Sequence, residues 1–204
     1  MEPGVNFVDL TGMHAGRHRV EPRAWAAVTG ITLHQTACVI GDNRDAWYNV
    51  PVHVGVTRSG SIYLLNPFDQ LVWHGHGLSR ADVGIEIDGY FSGVEEDPRT
   101  LWRPPQDPGR KPLTMTDAQL QAARAAVWLI MDTVRMSGGA IRHIHAHRQG
   151  SNQRQSDPGS RVWKDVGIWA QREYGLDDGG PGFTLGTGLP IPEAWDSRYA
   201  GVRY

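Results

Sequence analysis

Nine histidines stand beside a single cysteine, Cys38, in a chain of 204 residues. Three positions have the residue types that a metal site needs. His34 lies inside an apolar, alternating segment, His147 closes another, and Asp157 follows within Ser156-Asp157-Pro158-Gly159, a loop rich in helix and strand breakers. Two imidazoles and one carboxylate make a three-ligand set for catalytic zinc, which keeps its fourth position open. The same residues also read as hydrogen-bonded interior histidines and a turn-capping aspartate, and spacing alone leaves both readings open. Glu86 is a sharper oddity. In Val83-Gly84-Ile85-Glu86-Ile87 a carboxylate interrupts an apolar strand, and burying it without a partner is costly. In a cleft its raised pKa would suit a general base acting on water; on an edge strand it would simply face solvent.

His143, His145 and His147 alternate, so they are expected on one strand face with neighbours about 7 Å apart. The extra pair would then be outer partners of a metal ligand or ordinary hydrogen-bonded side chains. Cys38 is expected to be a buried small hydrophobe, because a fourth protein ligand would close the site that hydrolysis requires. One thiol also excludes an internal disulfide and a Cys-rich zinc ribbon. Only Lys111 and Lys164 among the twenty basic residues are lysines, so chemistry that needs an amine has two candidates.

The elements that must position these groups are legible in outline. Alternation predicts strands over 31–36, 50–57, 62–65, 83–87 and 141–146, the second and third joined as a hairpin by Ser59-Gly60-Ser61. Thr116 and Gln119 form a capping-box pattern, and Leu120, Ala123, Val127, Ile130 and Val134 then recur at helical spacing until Gly138-Gly139. A second helix is expected over 162–174. Five prolines between 90 and 112 predict a long surface loop. The chain divides into a lead-in (1–28), a body (29–176) and a tail (177–204) expected to pack on the body. Interleaved strands and helices give an α/β class around one sheet in a single domain.

A net charge of −2 lacks the electrostatic footprint of a nucleic-acid binder. No apolar run is long enough to span a bilayer, and no secretory leader is recognisable, so synthesis in the cytoplasm without a signal peptide is expected. The 25 glycines and 13 prolines point to shaped loops around a modest core.

Six pieces occur together in one order: Ile31-Thr32-Leu33-His34-Gln35-Thr36-Ala37; the hairpin from Val52-His53-Val54 to Ile62-Tyr63; Trp73-His74-Gly75; Val83 to Ile87; the Thr-x-x-Gln helix start; and His147-Arg148 leading to Ser156-Asp157-Pro158-Gly159. In this the chain resembles the zinc-dependent N-acetylmuramoyl-L-alanine amidases, a family that includes endolysins and peptidoglycan recognition proteins. The resemblance covers about residues 29–174. It implies a mixed β-sheet flanked by helices with a zinc groove over one face. His34, His147 and Asp157 would hold Zn2+, and Glu86 would be the catalytic carboxylate. The substrate implied is the amide between N-acetylmuramic acid and L-alanine in peptidoglycan or muropeptides. His53 and His74 would lie near the substrate.

One departure stands out. Many members carry lysine two residues before the aspartate ligand, where this chain has Gln155. A neutral donor is roughly half as strong as a charge-assisted one, so Gln155, Arg148 or Arg154 is expected to take the lysine's role. A non-catalytic peptidoglycan-binding module on the same fold is the rival reading. Action on the wall would follow release or delivery, through holin-dependent lysis or a secretion or contractile apparatus; a cytoplasmic recycling enzyme is the other possibility.

Overall fold

Apolar residues at alternate positions build the centre of the molecule. The computed structural model describes residues 5–13, 18–102 and 111–204. Among these the strands are β1 (Asn6–Asp9), β2 (Arg19–Pro22), β3 (Gly30–Gln35), β4 (Val54–Val56), β5 (Ser61–Leu64), β6 (Gln70–Val72), β7 (Asp82–Ile87) and β8 (His143–Ala146). Six form a mixed sheet in the order β1-β5-β4-β7-β3-β8, in which only β4 and β5 run antiparallel. β2 and β6 form a separate antiparallel pair. The helices are α1 (Arg44–Trp47), α2 (Asp117–Met136), α3 (Ser160–Val162) and α4 (Trp169–Tyr174), the last two joined by a π-helical turn at Trp163–Ile168. This is a mixed α/β domain.

Helix α2 begins where the side chain of Thr116 accepts the Gln119 N–H. Its buried stripe of Ala122, Ala123, Ala126, Val127, Ile130 and Val134 covers the sheet face that carries Ile31, Leu33, Val83, Ile85 and Ile87. Side chains alternate across a strand, so Thr32, His34, Gly84 and Glu86 are committed to the other face. α2 is also the crossover that joins β7 to the parallel β8, a connection no short turn can make.

Several expectations shift. The strand expected over 50–57 shortens to β4, because Pro51 has no N–H to donate and the chain enters the ladder only at Val54. β1, β2 and β6 are three or four residues long, too short for alternation to reveal. The proline-rich loop contains a 3-10 turn at Pro98–Thr100 and a bridge between Ser92 and Leu101; its residues 103–110 lie outside the described set. Cys38 is exposed, contrary to expectation, because it follows the last paired residue of β3 where the chain leaves the core.

The tail is built into the body. Ile191, Trp195 and Tyr199 join the main core, and Trp195 is fully buried, its indole N–H donated to the Gly93 carbonyl. Trp195→Ala should therefore destabilise the fold by about 3–5 kcal/mol in urea unfolding.

Candidate metal centre

Register brings the chemistry together. β3 pairs with β7 so that His34 lies beside Glu86, and with β8 so that Thr32 lies beside His145. β8 ends at Ala146, and the chain turns into a one-turn 3-10 helix whose first residue is His147. The loop after it folds back on itself: Arg148 N donates to the Asp157 carbonyl at 3.0 Å, and Asp157 N to the Arg154 carbonyl at 2.9 Å. Asp157 is thereby returned to within reach of His147.

His34 Nδ1 and His147 Nδ1 face each other at 2.8 Å, and Asp157 Oδ2 is 3.0 Å from His147 Nδ1. The other carboxylate oxygen, Oδ1, accepts the backbone N–H of Gln35 at 2.9 Å, which orients it. All three side chains are buried, and their ligand atoms lie within 4.8 Å of one another. Two imidazole nitrogens and a carboxylate oxygen so placed are a donor set able to hold a metal ion. Glu86 lies on the floor beside them, and its Oε2 is buried without a hydrogen-bond partner.

The groove has a volume of about 530 Å³. Glu86, His147, Asp157 and His74 line its floor, Trp73 and Trp102 its sides, and Arg154 its rim. The Arg154 guanidinium stacks 3.9 Å from the Trp102 ring centroid. Burial, and then neighbouring imidazoles and Arg154, hold His34 well below the usual histidine pKa; burial brings His74 down to about 4. Both rings are neutral at pH 7, the form in which an imidazole can bind a metal ion. Burial first, and Asp157 second, push Glu86 well above the usual carboxylate value, against the opposing pull of Arg154.

The family model described as N-acetylmuramoyl-L-alanine amidase matches residues 24–160. The chain belongs to this family. Solved structures with the same fold include the amidase LysC from Clostridium intestinale, 15% identical, covering 84% of this chain and 99% of that one with a TM-score of 0.51. Bumblebee peptidoglycan recognition protein SA is 15% identical, covers 81% and 95%, and has a TM-score of 0.58. A complex of peptidoglycan recognition protein ectodomains LCa and LCx with tracheal cytotoxin gives 18%, 85% and 99%, and 0.56. No curated protein matches.

Against the family expectations, the structure sorts the other residues clearly. His147, Asp157, Glu86 and Arg154 line the groove, and His34 is fully buried against His147. His53 does not reach the groove. Its Nδ1 accepts the Gly84 N–H at 3.0 Å and its Nε2 donates to the Gln70 carbonyl at 2.9 Å, so this fully buried ring is committed to holding β7 against β6. His74 lines the floor, but both its ring nitrogens are engaged, with His34 and with the Asp82 carbonyl. Arg148 is buried between the rings of Trp195 and Tyr204 at 4.9 and 5.2 Å and donates to the Gln155 carbonyl, with burial lowering its pKa to about 10. It packs against the tail and is not among the residues that line the groove. The Gln155 side chain is exposed in a neighbouring depression, because its carbonyl is turned inward to Arg148. His145 pairs with Asp82 at 2.8 Å and stacks on His143 and Phe183. Trp73, His76 and Trp102 also line the groove; Trp73 stood in the quoted Trp73-His74-Gly75 piece, while His76 and Trp102 were not singled out.

A carboxylate whose folded pKa lies above the ordinary 4.5 takes up a proton on folding. Stability is then lost as pH rises from that ordinary value through the raised one. In chelator-treated protein, Glu86→Gln should flatten this dependence and raise Tm at pH 8 by about 2 °C or more, read by calorimetry across pH.

Proposed function

We propose that the chain is a zinc-dependent hydrolase that cleaves the amide between N-acetylmuramic acid and L-alanine in peptidoglycan. The observation that carries this reading is the convergence of His34, His147 and Asp157 beside an unpartnered Glu86 oxygen on the floor of an open groove. His34 Nδ1, His147 Nδ1 and an Asp157 oxygen would hold the ion. Zinc supplies Lewis acidity there, lowering the pKa of water toward about 7 and polarising the scissile carbonyl.

Glu86 is the base. Its raised proton affinity lets it take a proton from the attacking water and then deliver it to the nitrogen of the departing L-alanine, which leaves as a free amine. Arg154 is the fixed positive charge of the groove, and stacking on Trp102 holds its guanidinium where negative charge develops on the carbonyl oxygen. Of the three residues expected to stand in for the family lysine, Arg154 is the one that lines the groove, while Gln155 lies in a neighbouring depression. Trp73 and Trp102 offer apolar ring faces to the sugar and the stem peptide. The open groove suits a polymer, and we favour action on the intact wall after release or delivery, as an endolysin or antibacterial effector does.

Purified protein should release stem-peptide amines from sacculi, lose this activity to chelation and regain it with Zn(II). Glu86→Gln should lower turnover by about 10²–10⁴-fold. Arg154→Ala should cost about 10²-fold, while Gln155→Ala stays within about twofold. Binding to sacculi without amine release would instead identify a recognition module, and activity on soluble muropeptides alone would identify a recycling enzyme.

A further inference from the structure

His74 and His76, two residues of one short segment, each meet a different ligand histidine at its far ring nitrogen. His34 Nε2 is 3.0 Å from His74 Nδ1, and His147 Nε2 is 3.1 Å from His76 Nδ1. Donor logic fixes the first pair. The Asp82 carbonyl can only accept, and it lies 3.2 Å from His74 Nε2, so that nitrogen carries the proton. His74 Nδ1 is then an acceptor. His34 must therefore keep its proton on Nε2 and present a bare lone pair at Nδ1, the atom that faces His147. A ligating His147 likewise needs its proton on Nε2, where His76 Nδ1 accepts it.

We propose that His74 and His76 are positioning residues that select the ligating tautomers of His34 and His147, a single clip of chain setting both lone pairs toward the ion. This rests on the metal reading above. Ligand imidazoles ordinarily donate their second N–H to a carboxylate, a carbonyl or water. Neutral imidazole acceptors would hold the two rings without adding a negative charge to the site.

The backbone is shaped for this clip. A Cβ at residue 84 would lie 2.7 Å from His74 Cγ, so the ring can cross β7 only because Gly84 is there. The buried Ser79 hydroxyl accepts the N–H of His74 at 3.0 Å and of Gly75 at 2.7 Å. His76 is held at φ +56°, a conformation that costs a side-chain-bearing residue energy and persists only when its surroundings enforce it. Its ring centroid comes to 5.3 Å from that of His147.

The decisive comparison uses two replacements that both tolerate a positive φ. His76→Gly offers no acceptor, whereas His76→Asn does. Ring tautomers are read by long-range 15N NMR in the metal-free protein, and Zn(II) affinity by competition with a chromophoric chelator. His34 should carry its proton on Nε2 in the wild type. His76→Gly should weaken Zn(II) binding by about 10–100-fold, and His76→Asn should recover most of that loss. His74→Gln, whose amide can reproduce both bonds, should retain the His34 tautomer that His74→Leu loses. A wild type that binds Zn(II) with His34 protonated on Nδ1, or a His76→Gly protein with unchanged Zn(II) affinity, overturns the proposal and leaves the metal reading intact. A wild type that takes up no Zn(II) overturns the metal reading and the proposal with it.

Discussion

Two imidazole nitrogens, His34 Nδ1 and His147 Nδ1, confront each other at 2.8 Å in buried surroundings, and much of the fold exists to force that meeting. Lone pairs so placed repel unless a proton or a cation lies between them. The residues are 113 apart in sequence. Parallel pairing of β3 with β8 brings them together, and parallel strands require a long crossover, which α2 supplies while its apolar stripe seals the opposite face of the sheet. The same helix therefore maintains the core and delivers His147. Asp157 joins them through its bond to the Gln35 N–H, one residue beyond His34, so that two of the three residues of the cluster are referenced to the end of one strand.

What could be read in the sequence follows from this arrangement. Alternation marked β3 and β7, and with them His34 and Glu86, because a strand covered on both sides fixes which residues must be apolar. Capping at Thr116 and the stripe that follows marked α2. Residue type and loop context offered Asp157 with a turn-capping reading still open, and resemblance added its role and the order of the pieces. Long-range contacts were not legible. His53 and His74 look alike as polar residues near the groove, yet one lies beneath it, held by Gly84 and Gln70, and the other forms its floor. Arg148 and Arg154 differ by six positions in one loop and face opposite ways. Only packing against Trp195 and Tyr204 decides that Arg148 is an interior cation. β1 and β6 escaped because three or four residues cannot display a period.

The tail acts on the site through the loop that carries His147 and Asp157. Leu185 N donates to the Gln149 carbonyl and Leu189 N to the Arg148 carbonyl, both at 2.7 Å, so tail backbone satisfies the turn immediately after His147. From the other side, Arg148 spans the loop to the Gln155 carbonyl at 2.6 Å and is enclosed by two tail aromatics. A guanidinium between aromatic faces tolerates burial that an ammonium would resist, because its charge is delocalised and weakly hydrated. The tail and the 147–157 loop are thus one packed unit.

The electrostatics of the groove then turn on Glu86 and Arg154. Burial and Asp157 raise the proton affinity of Glu86, and Arg154 lowers it. A lysine beside the aspartate ligand would bring a compact charge on a flexible stem. This chain instead places a planar cation on Trp102, whose indole N–H is in turn donated to the Gln153 carbonyl at 2.8 Å. The cation and its platform are both tied to the 147–157 loop, which fixes the geometry of the charge. An arginine also keeps its charge when water is excluded, whereas a desolvated lysine gives up its proton more readily. Scarcity of lysine is therefore compatible with a fully charged groove, provided that the loop holding His147 and Asp157 also holds Arg154.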